Sequence, residues 1–372
     1  MRVHVVDPSA YTPPYDHALS AALAAAGPDV ELFTSRFAYG AVPEPDGYVR
    51  RDFFYRSTRV AGGGSRAAQQ ARRALKLAEH VPDMLRYRRA AEAADVVHFQ
   101  WLPVQQLDER LLPPRTAGAG APRVLTAHDV LPREAGARRR AAQRRLYDRF
   151  DAIVVHSESG RERLTGELGM DERRVHVIAH GAFVHLADQP AVAPPFQTDK
   201  RVVLFFGLLR PYKGLDVLLQ AWRGIDDAEL WIVGMPRMDV AALMADAPPN
   251  VRLVPRFVAD AELPAYFSRA DLVVLPYREI EQSGVLFTAL AFGKPLLVSD
   301  VGGFAELAER GAAHAVAPGD ARALHEALRC LLANPAALSA LGERALSLAQ
   351  GEYGWPQIAR RTLALYEQLL AG

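Results

Sequence analysis

Four segments of the chain carry residue types suited to holding anions and hydroxyls. The apolar run RVVLFFG leads into LLRPYKGLDVLL, where Gly207 permits a sharp turn and Arg210 and Lys213 stand on the loop or the first helical turn. Two cations beside the bare amides of a helix start form a site for a diphosphate. The run DLVVLP leads into YREIEQSGVLFTALAFGKP, where Ser283, Gly284 and Val285 open a helix. First-turn N–H groups have no partner inside a helix, and small side chains let an anion or a sugar hydroxyl reach them. Glu279 and Glu281, just upstream, can accept hydrogen bonds from sugar hydroxyls. The third segment, RVLTAH, ends in His128, followed by Asp129. Imidazole titrates near neutrality, so His128 could donate to a reacting sugar or its phosphate, with its charge set by Asp129 or by burial. The fourth, RVHVIA, runs into His180 and Gly181, whereas His98 and His156 read as structural histidines near strand ends.

These residues follow strands. Six short apolar runs in the first half (MRVHVV, VELFTS, DVVHFQ, RVLTAH, AIVVHS, RVHVIA) are matched by six in the second (RVVLFFG, ELWIVG, VRLVP, DLVVLP, PLLVSD, AAHAVAP). Runs that are apolar on both faces suit strands buried on both sides of a parallel sheet. Amphipathic stretches such as PYDHALSAALAAAG and KGLDVLLQAWRG separate them. The alternation predicts an α/β protein of two doubly wound domains. The boundary is expected within residues 185–200, where Pro190, Pro194 and Pro195 interrupt the periodicity, giving domains 1–190 and 191–352. Ligands of open parallel sheets collect beyond the carboxyl ends of the strands. Two facing domains would form a cleft, which Tyr15, Asp16, Trp101 and His180 would border on the acceptor side.

Composition narrows the class. A chain of 372 residues, 50% hydrophobic and 23% charged, is that of a globular protein. Its 44 Lys and Arg against 43 Asp and Glu leave a net charge of +1, which argues against a polyelectrolyte binder. The single cysteine, Cys330, excludes a disulfide framework within one chain and any multi-cysteine zinc site, and its apolar helical surroundings predict a buried structural thiol. The opening MRVHVVDPSA enters a strand-like run at once, and no run of about 18 apolar residues occurs, so a soluble cytoplasmic protein is expected. Arginines are dense after Arg50 and again at Arg138, Arg139, Arg140, Arg144 and Arg145. Such faces could meet anionic lipid at the inner face of a membrane, or a phosphorylated acceptor; a solvated basic surface is the competing reading. Aromatics do not alternate with these charges, so no nucleic acid is expected. The Gly62–Gly64 triplet reads as a loop. No G-x-G-x-x-G, P-loop, H-E-x-x-H or G-x-S-x-G pattern is present.

The ordered set of motifs resembles the retaining glycosyltransferases of family four, with the GT-B fold, over nearly the whole chain. TAHDVLP is similar to their histidine-containing strand end, and VIAHGAF to the segment before their linker. FFGLLRPYKGLDVLLQAW resembles their donor-phosphate loop, and SGVLFTALAFGKPLLVSDVGGFAEL their donor-sugar and nucleotide segment. The resemblance implies two Rossmann-like domains around a cleft, the second holding the nucleotide sugar. It also implies a last helix, 353–372, that packs back onto the first domain. Lys213 takes the place of the family's phosphate-binding lysine and His128 that of its histidine near the donor sugar. Leu208 stands where an arginine usually follows the glycine, and Arg210 is close enough to replace it. Ile280 and Thr288 stand where the family has two glutamates. Glu279 or Glu281 would replace the first, and Thr288 could hydrogen-bond a ribose hydroxyl.

The resulting expectation is transfer of a hexose from a UDP- or GDP-linked donor to an acceptor hydroxyl with retention at the anomeric carbon. Arg210, Lys213 and the helix amides near Gly284 would stabilise the leaving diphosphate in place of a metal, with no cofactor. The acceptor is left open among a glycan end, a lipid-linked sugar and a small metabolite. Two other functions remain at this point: a nucleotide-sugar epimerase on the same architecture, and a noncatalytic nucleotide-sugar-binding protein.

Overall fold

A computed structural model describes the chain except residues 38–39, 58–65, 114–119, 132–136, 191 and 281 and the side chains of 66–69, 71–73, 106 and 137. Gly62–Gly64 and Glu281 therefore lie outside the described residues. Two compact units form, one of residues 1–179 with 355–372 and one of residues 180–354.

The first unit is built on a seven-stranded sheet: β1 (Arg2–Asp7), β2 (Asp29–Ser35), β3 (Val49–Phe54), β4 (Val96–Phe99), β5 (Arg123–Thr126), β6 (Ala152–Val155) and β7 (Val175–Val177). The spatial order is β3-β2-β1-β4-β5-β6-β7, and every pairing is parallel. β4, β5 and β6 are buried at every residue, as strands covered on both faces must be. Strand β3 was not expected. Half of its sequence, VRRDFF, is exposed, and Arg51 pairs with Glu31 of β2 at 2.7 Å. An edge strand can carry charge where it meets water, and Arg50, Arg51 and Asp52 interrupt here the apolar run by which the other strands are recognised.

The helix Trp355–Ala371 belongs to this first unit and packs on the opening helix Pro13–Ala25. It buries Trp355, Ile358, Ala359, Thr362, Leu365 and Tyr366, while Leu370 remains exposed. The Tyr366 hydroxyl lies 2.6 Å from Nδ1 of His98 on β4.

The second unit carries a six-stranded parallel sheet: β8 (Arg201–Phe206), β9 (Ala228–Val233), β10 (Val251–Val254), β11 (Leu272–Leu275), β12 (Leu296–Ser299) and β13 (Ala313–Val316). The order is β10-β9-β8-β11-β12-β13. Each of the six runs expected in this half is a strand. Trp222, Trp231, Phe205 and Phe267 are among its fully buried side chains.

Two expectations need correction. The division falls at 179/180 rather than at 190, because residues 180–183 are packed onto the second unit. The His180 ring stacks on Phe287 at 4.3 Å, and Ala182 N–H donates to the carbonyl of Tyr353. Cys330 is exposed, not buried. Helix Ala321–Leu332 buries Leu324, Ala327, Leu328, Leu331 and Leu332, and that spacing turns residue 330 away from the core.

Candidate functional site

In the second unit the loop after β8 is held rigidly. Leu209 is fully buried, accepts from Arg237 N–H and donates to the Met235 carbonyl, so it is tied to the loop after β9. Gly207 (φ +111°) and Gly234 (φ +145°) lie in a region that L-residues rarely adopt, and a Cβ on Gly234 would fall 1.8 Å from the Gly207 carbonyl oxygen. The chain then makes one 3-10 turn, Pro211–Lys213, before the helix Leu215–Trp222. Gly214 presses this turn onto the end of β11, where a Cβ would meet the Pro276 carbonyl at 2.0 Å.

Lys213 is 6% exposed, an unusual state for an ammonium group. Its Nζ lies 4.8 Å from the centre of the Tyr277 ring, a cation–π arrangement. A Cβ built on Gly207 would stand 2.9 Å from Lys213 Nζ and 3.1 Å from Val285 Cγ2. Gly207, the buried cation and the first turn of helix Gly284–Ala291 thus meet around one point. Ser283 occupies the N-cap of that helix in extended conformation without capping it through its hydroxyl. The helix start therefore retains amide donors for a ligand.

Arg210 sits at the head of the 3-10 turn, exposed, with no ion pair among the described residues. Glu279 is exposed on the loop between β11 and helix Gly284–Ala291. Thr288 is buried, and its hydroxyl donates to the Gly284 carbonyl at 2.9 Å, so only its acceptor capacity remains for another group.

Sequence reasoning passed over Arg278. Its guanidinium binds both Asp216 oxygens, at 3.0 and 2.6 Å, and the Pro211 carbonyl at 2.9 Å, while its N–H donates to Tyr212 O. These bonds clamp the loop after β11 to the Lys213 turn, and hydrogen bonding from Arg278 holds the Asp216 carboxyl below its ordinary range. In sequence Arg278 is one arginine among many; its partner lies 62 residues away.

In the first unit His128 lies in an aromatic setting. Its ring stacks on Trp101 at 4.9 Å with an 11° interplanar angle, meets Tyr15 edge-on at 4.8 Å, and lies 5.0 Å from His156. Its Nδ1 is 3.2 Å from His156 Nε2, and its Nε2 is 3.3 Å from Gln100 Oε1. His156 Nδ1 donates to the Ile178 carbonyl, which leaves its Nε2 to accept from His128. Burial drives His156 down to about 4. Burial, followed by the charge of His156, drives His98 down to about 3. Burial likewise raises the Tyr15 hydroxyl far above its usual range.

Asp16 does not join this group. It is buried and interacts with Asp7, whose carboxylate accepts from the N–H groups of Ser9, Tyr11 and Thr12. Those amides favour the ionised form of Asp7. Burial, and then the charge of Asp7, push Asp16 well up, so Asp16 carries the shared proton. His180 belongs to the second unit, on Phe287. The structure therefore brings Gly207, Lys213 and Val285 together in one unit and Tyr15, Trp101 and His128 in the other.

No helix among the described residues is long and apolar enough to cross a membrane.

The fold is shared with known proteins. A sucrose-phosphate synthase from Thermosynechococcus elongatus superposes with a TM-score of 0.74 at 20% identity, over 100% of this chain and 99% of that one. Anabaena HepE in complex with UDP and glucose gives 0.71 at 17% identity, over 99% of each chain. Such an arrangement of two parallel-sheet units is the GT-B fold. The family model described as "Glycosyl transferases group 1" matches residues 200–334, and that described as "Glycosyl transferase 4-like domain" matches residues 14–181. The D-inositol 3-phosphate glycosyltransferase of Kineococcus radiotolerans is 26% identical over 94% of this chain and 88% of its own length. A phosphatidyl-myo-inositol mannosyltransferase of Mycobacterium leprae is 36% identical over 45% of this chain and 46% of its own. The chain belongs to the group 1 glycosyl transferases and is a glycosyltransferase.

Proposed function

We propose that the protein transfers a hexose from a UDP- or GDP-linked donor to an acceptor hydroxyl with retention of anomeric configuration. The supporting observation is the meeting of Gly207, the buried Lys213 ammonium and the uncapped start of helix Gly284–Ala291. As the bond from the anomeric carbon to the phosphate oxygen breaks, negative charge grows on the diphosphate. A fixed cation and fixed amide dipoles in a desolvated place stabilise that charge most where it develops. Lys213, the helix amides and the exposed Arg210 take that role, so a metal ion is not required. The acceptor oxygen attacks the same face of the sugar, and its proton passes to the departing phosphate. His128, just past the end of β5, takes the role of binding the donor sugar and orienting its ring. The Glu279 carboxylate and the backbone at Ser283 hold donor hydroxyls, and Thr288 offers an acceptor. The acceptor is a hydroxylated compound held by the first unit. The dense arginines of that unit leave peripheral contact with anionic lipid as part of the same reading.

The test is turnover with a panel of nucleotide sugars and acceptors, with and without chelator. Lys213→Ala and Arg210→Ala should each reduce turnover by about tenfold or more while circular dichroism stays unchanged. Wild-type turnover in both variants, or an inverted anomer in the product, would reject the mechanism.

A further inference from the structure

A cavity of about 310 Å³ opens at the carboxyl end of β2 in the first unit, between the start of the opening helix and the segment that leads to β3. That volume lies at the lower end of small-molecule sites and fits one or two sugar rings. Its place follows the rule that open parallel sheets bind ligands beyond the carboxyl ends of their strands.

The lining selects by chemistry. Thr34 and Ser35, the last residues of β2, contribute hydroxyls, and Tyr48 contributes another, 3.0 Å from His17 Nδ1. Arg36 and Arg50 stand against Glu44 and Asp52, so the charged groups balance. An anion would gain two guanidinium groups and face two carboxylates, and a cation would meet the reverse. An apolar ligand would cover these polar groups and satisfy none of the capacity left after the bonds of Tyr48 to His17 and of Arg50 to the Pro43 carbonyl. A ring bearing several neutral hydroxyls, each both donor and acceptor, suits every one of them.

One further group in the wall has an unmet need. Asp16 is 1% exposed, and its Oδ1 is buried with no hydrogen-bond partner among the described residues. A buried acceptor left alone costs about 1–3 kcal/mol, which a ligand hydroxyl seated against it would recover.

We propose that this cavity is a saccharide pocket that seats an uncharged, hexose-sized polyol ring, the terminal unit of the acceptor. The word acceptor rests on the transferase reading; the binding itself does not. It narrows the three acceptor classes left open by the sequence to those that end in a neutral sugar. Asp16 fixes the ring through one hydroxyl, and Thr34 and Tyr48 fix its orientation.

The experiment is ligand-observed saturation-transfer NMR on the full chain without donor. The probes are methyl hexosides, neutral disaccharides, a hexose 6-phosphate and an inositol phosphate. At least one neutral saccharide should receive saturation, and Asp16→Ala and Tyr48→Phe should each weaken it by about tenfold, the loss expected for one hydrogen bond. Thr34→Val, a near-isosteric change at a buried strand end, provides a third variant should Asp16→Ala fail to fold. UDP or GDP should leave the signal unchanged. Three results overturn the proposal: no neutral saccharide binds at millimolar concentration, the pocket variants bind like wild type, or a phosphorylated probe binds at least tenfold more tightly than its neutral counterpart. Displacement by UDP or GDP would also overturn it, by moving the bound sugar to the donor loop. A thermal-shift titration with UDP and GDP, run in parallel, reads the transferase proposal separately. Nucleotide binding without saccharide binding sinks the pocket alone, and saccharide binding without nucleotide binding sinks the donor site alone.

Discussion

Replacing Gly207 by alanine tests whether the glycine serves the fold or the cation beside it. At φ +111° an alanine backbone is strained, and such a residue costs about 1–3 kcal/mol of stability. The new methyl would stand 2.9 Å from Lys213 Nζ and 3.1 Å from Val285 Cγ2. The lysine end is the tip of a flexible chain and can move aside, and Val285 needs to shift only by a few tenths of an ångström. The protein therefore folds with a lower denaturation midpoint, but its cation no longer occupies the place that the proposed mechanism gives to the developing diphosphate charge. Loss of one well-placed donor to such charge costs about 2.7–4 kcal/mol, or about 10²–10³ in turnover. Gly207→Ala should approach that loss, and Lys213→Ala should reach it. If the glycine acts through the lysine, adding Gly207→Ala to Lys213→Ala changes kcat/KM little further, and the two single losses fail to add. The assay is steady-state kinetics on the four proteins, with urea titrations to follow stability. Additive losses in kcat/KM, or a Gly207→Ala enzyme with wild-type kcat/KM, would refute the coupling.

Arg278→Ala removes the clamp on the Lys213 turn. Because the Arg278–Asp216 pair is exposed, stability should fall by less than about 1 kcal/mol, whereas the KM for the nucleotide sugar rises several-fold with kcat nearly kept. Tyr366→Phe deletes the hydroxyl that meets His98 and should lower unfolding free energy by about 1–3 kcal/mol in urea melts. His98 and His156 are neutral in the folded protein down to about 3 and about 4, whereas the unfolded chain protonates them below about 6.5. Their contribution is complete above pH 6.5 and is lost as pH falls toward those lower values, on the order of 2 kcal/mol per histidine by pH 5. Urea midpoints should therefore fall more steeply between pH 7 and 5 in wild type than in His156→Gln. The Asp7–Asp16 pair acts in the opposite sense in both proteins, so the difference isolates the histidine; equal slopes would contradict the assignment.

Buried parallel strands announce themselves, because burial on both faces demands unbroken runs such as LVVL and AIVV. Twelve apolar runs became twelve strands, the edges β7, β10 and β13 among them, and the missing one, β3, is the edge whose sequence VRRDFF breaks the run with three consecutive charged residues. That Gly207 and Lys213 come together was legible because they lie within one loop; the roles proposed for them are not read from that closeness. Arg278 was obscure for the opposite reason: it acts on residues distant in sequence. Asp16 was named at the start of the opening helix, but the proton it shares with Asp7 is created by burial and has no local signal. The boundary was misplaced because prolines mark where the chain bends, while domain membership is decided by packing, here of His180 on Phe287. Cys330 was misjudged because a locally apolar stretch does not say which side of a helix faces inward.

The return of the last helix has a consequence for biosynthesis. His98 finds the Tyr366 hydroxyl only 268 residues downstream, and the opening helix waits for the same segment. On the ribosome, residues 180–354 emerge and can settle before the earlier-made half has its closing piece. The half translated first is thus the half completed last, and until the final turns leave the exit tunnel it presents an open seam to chaperones and proteases.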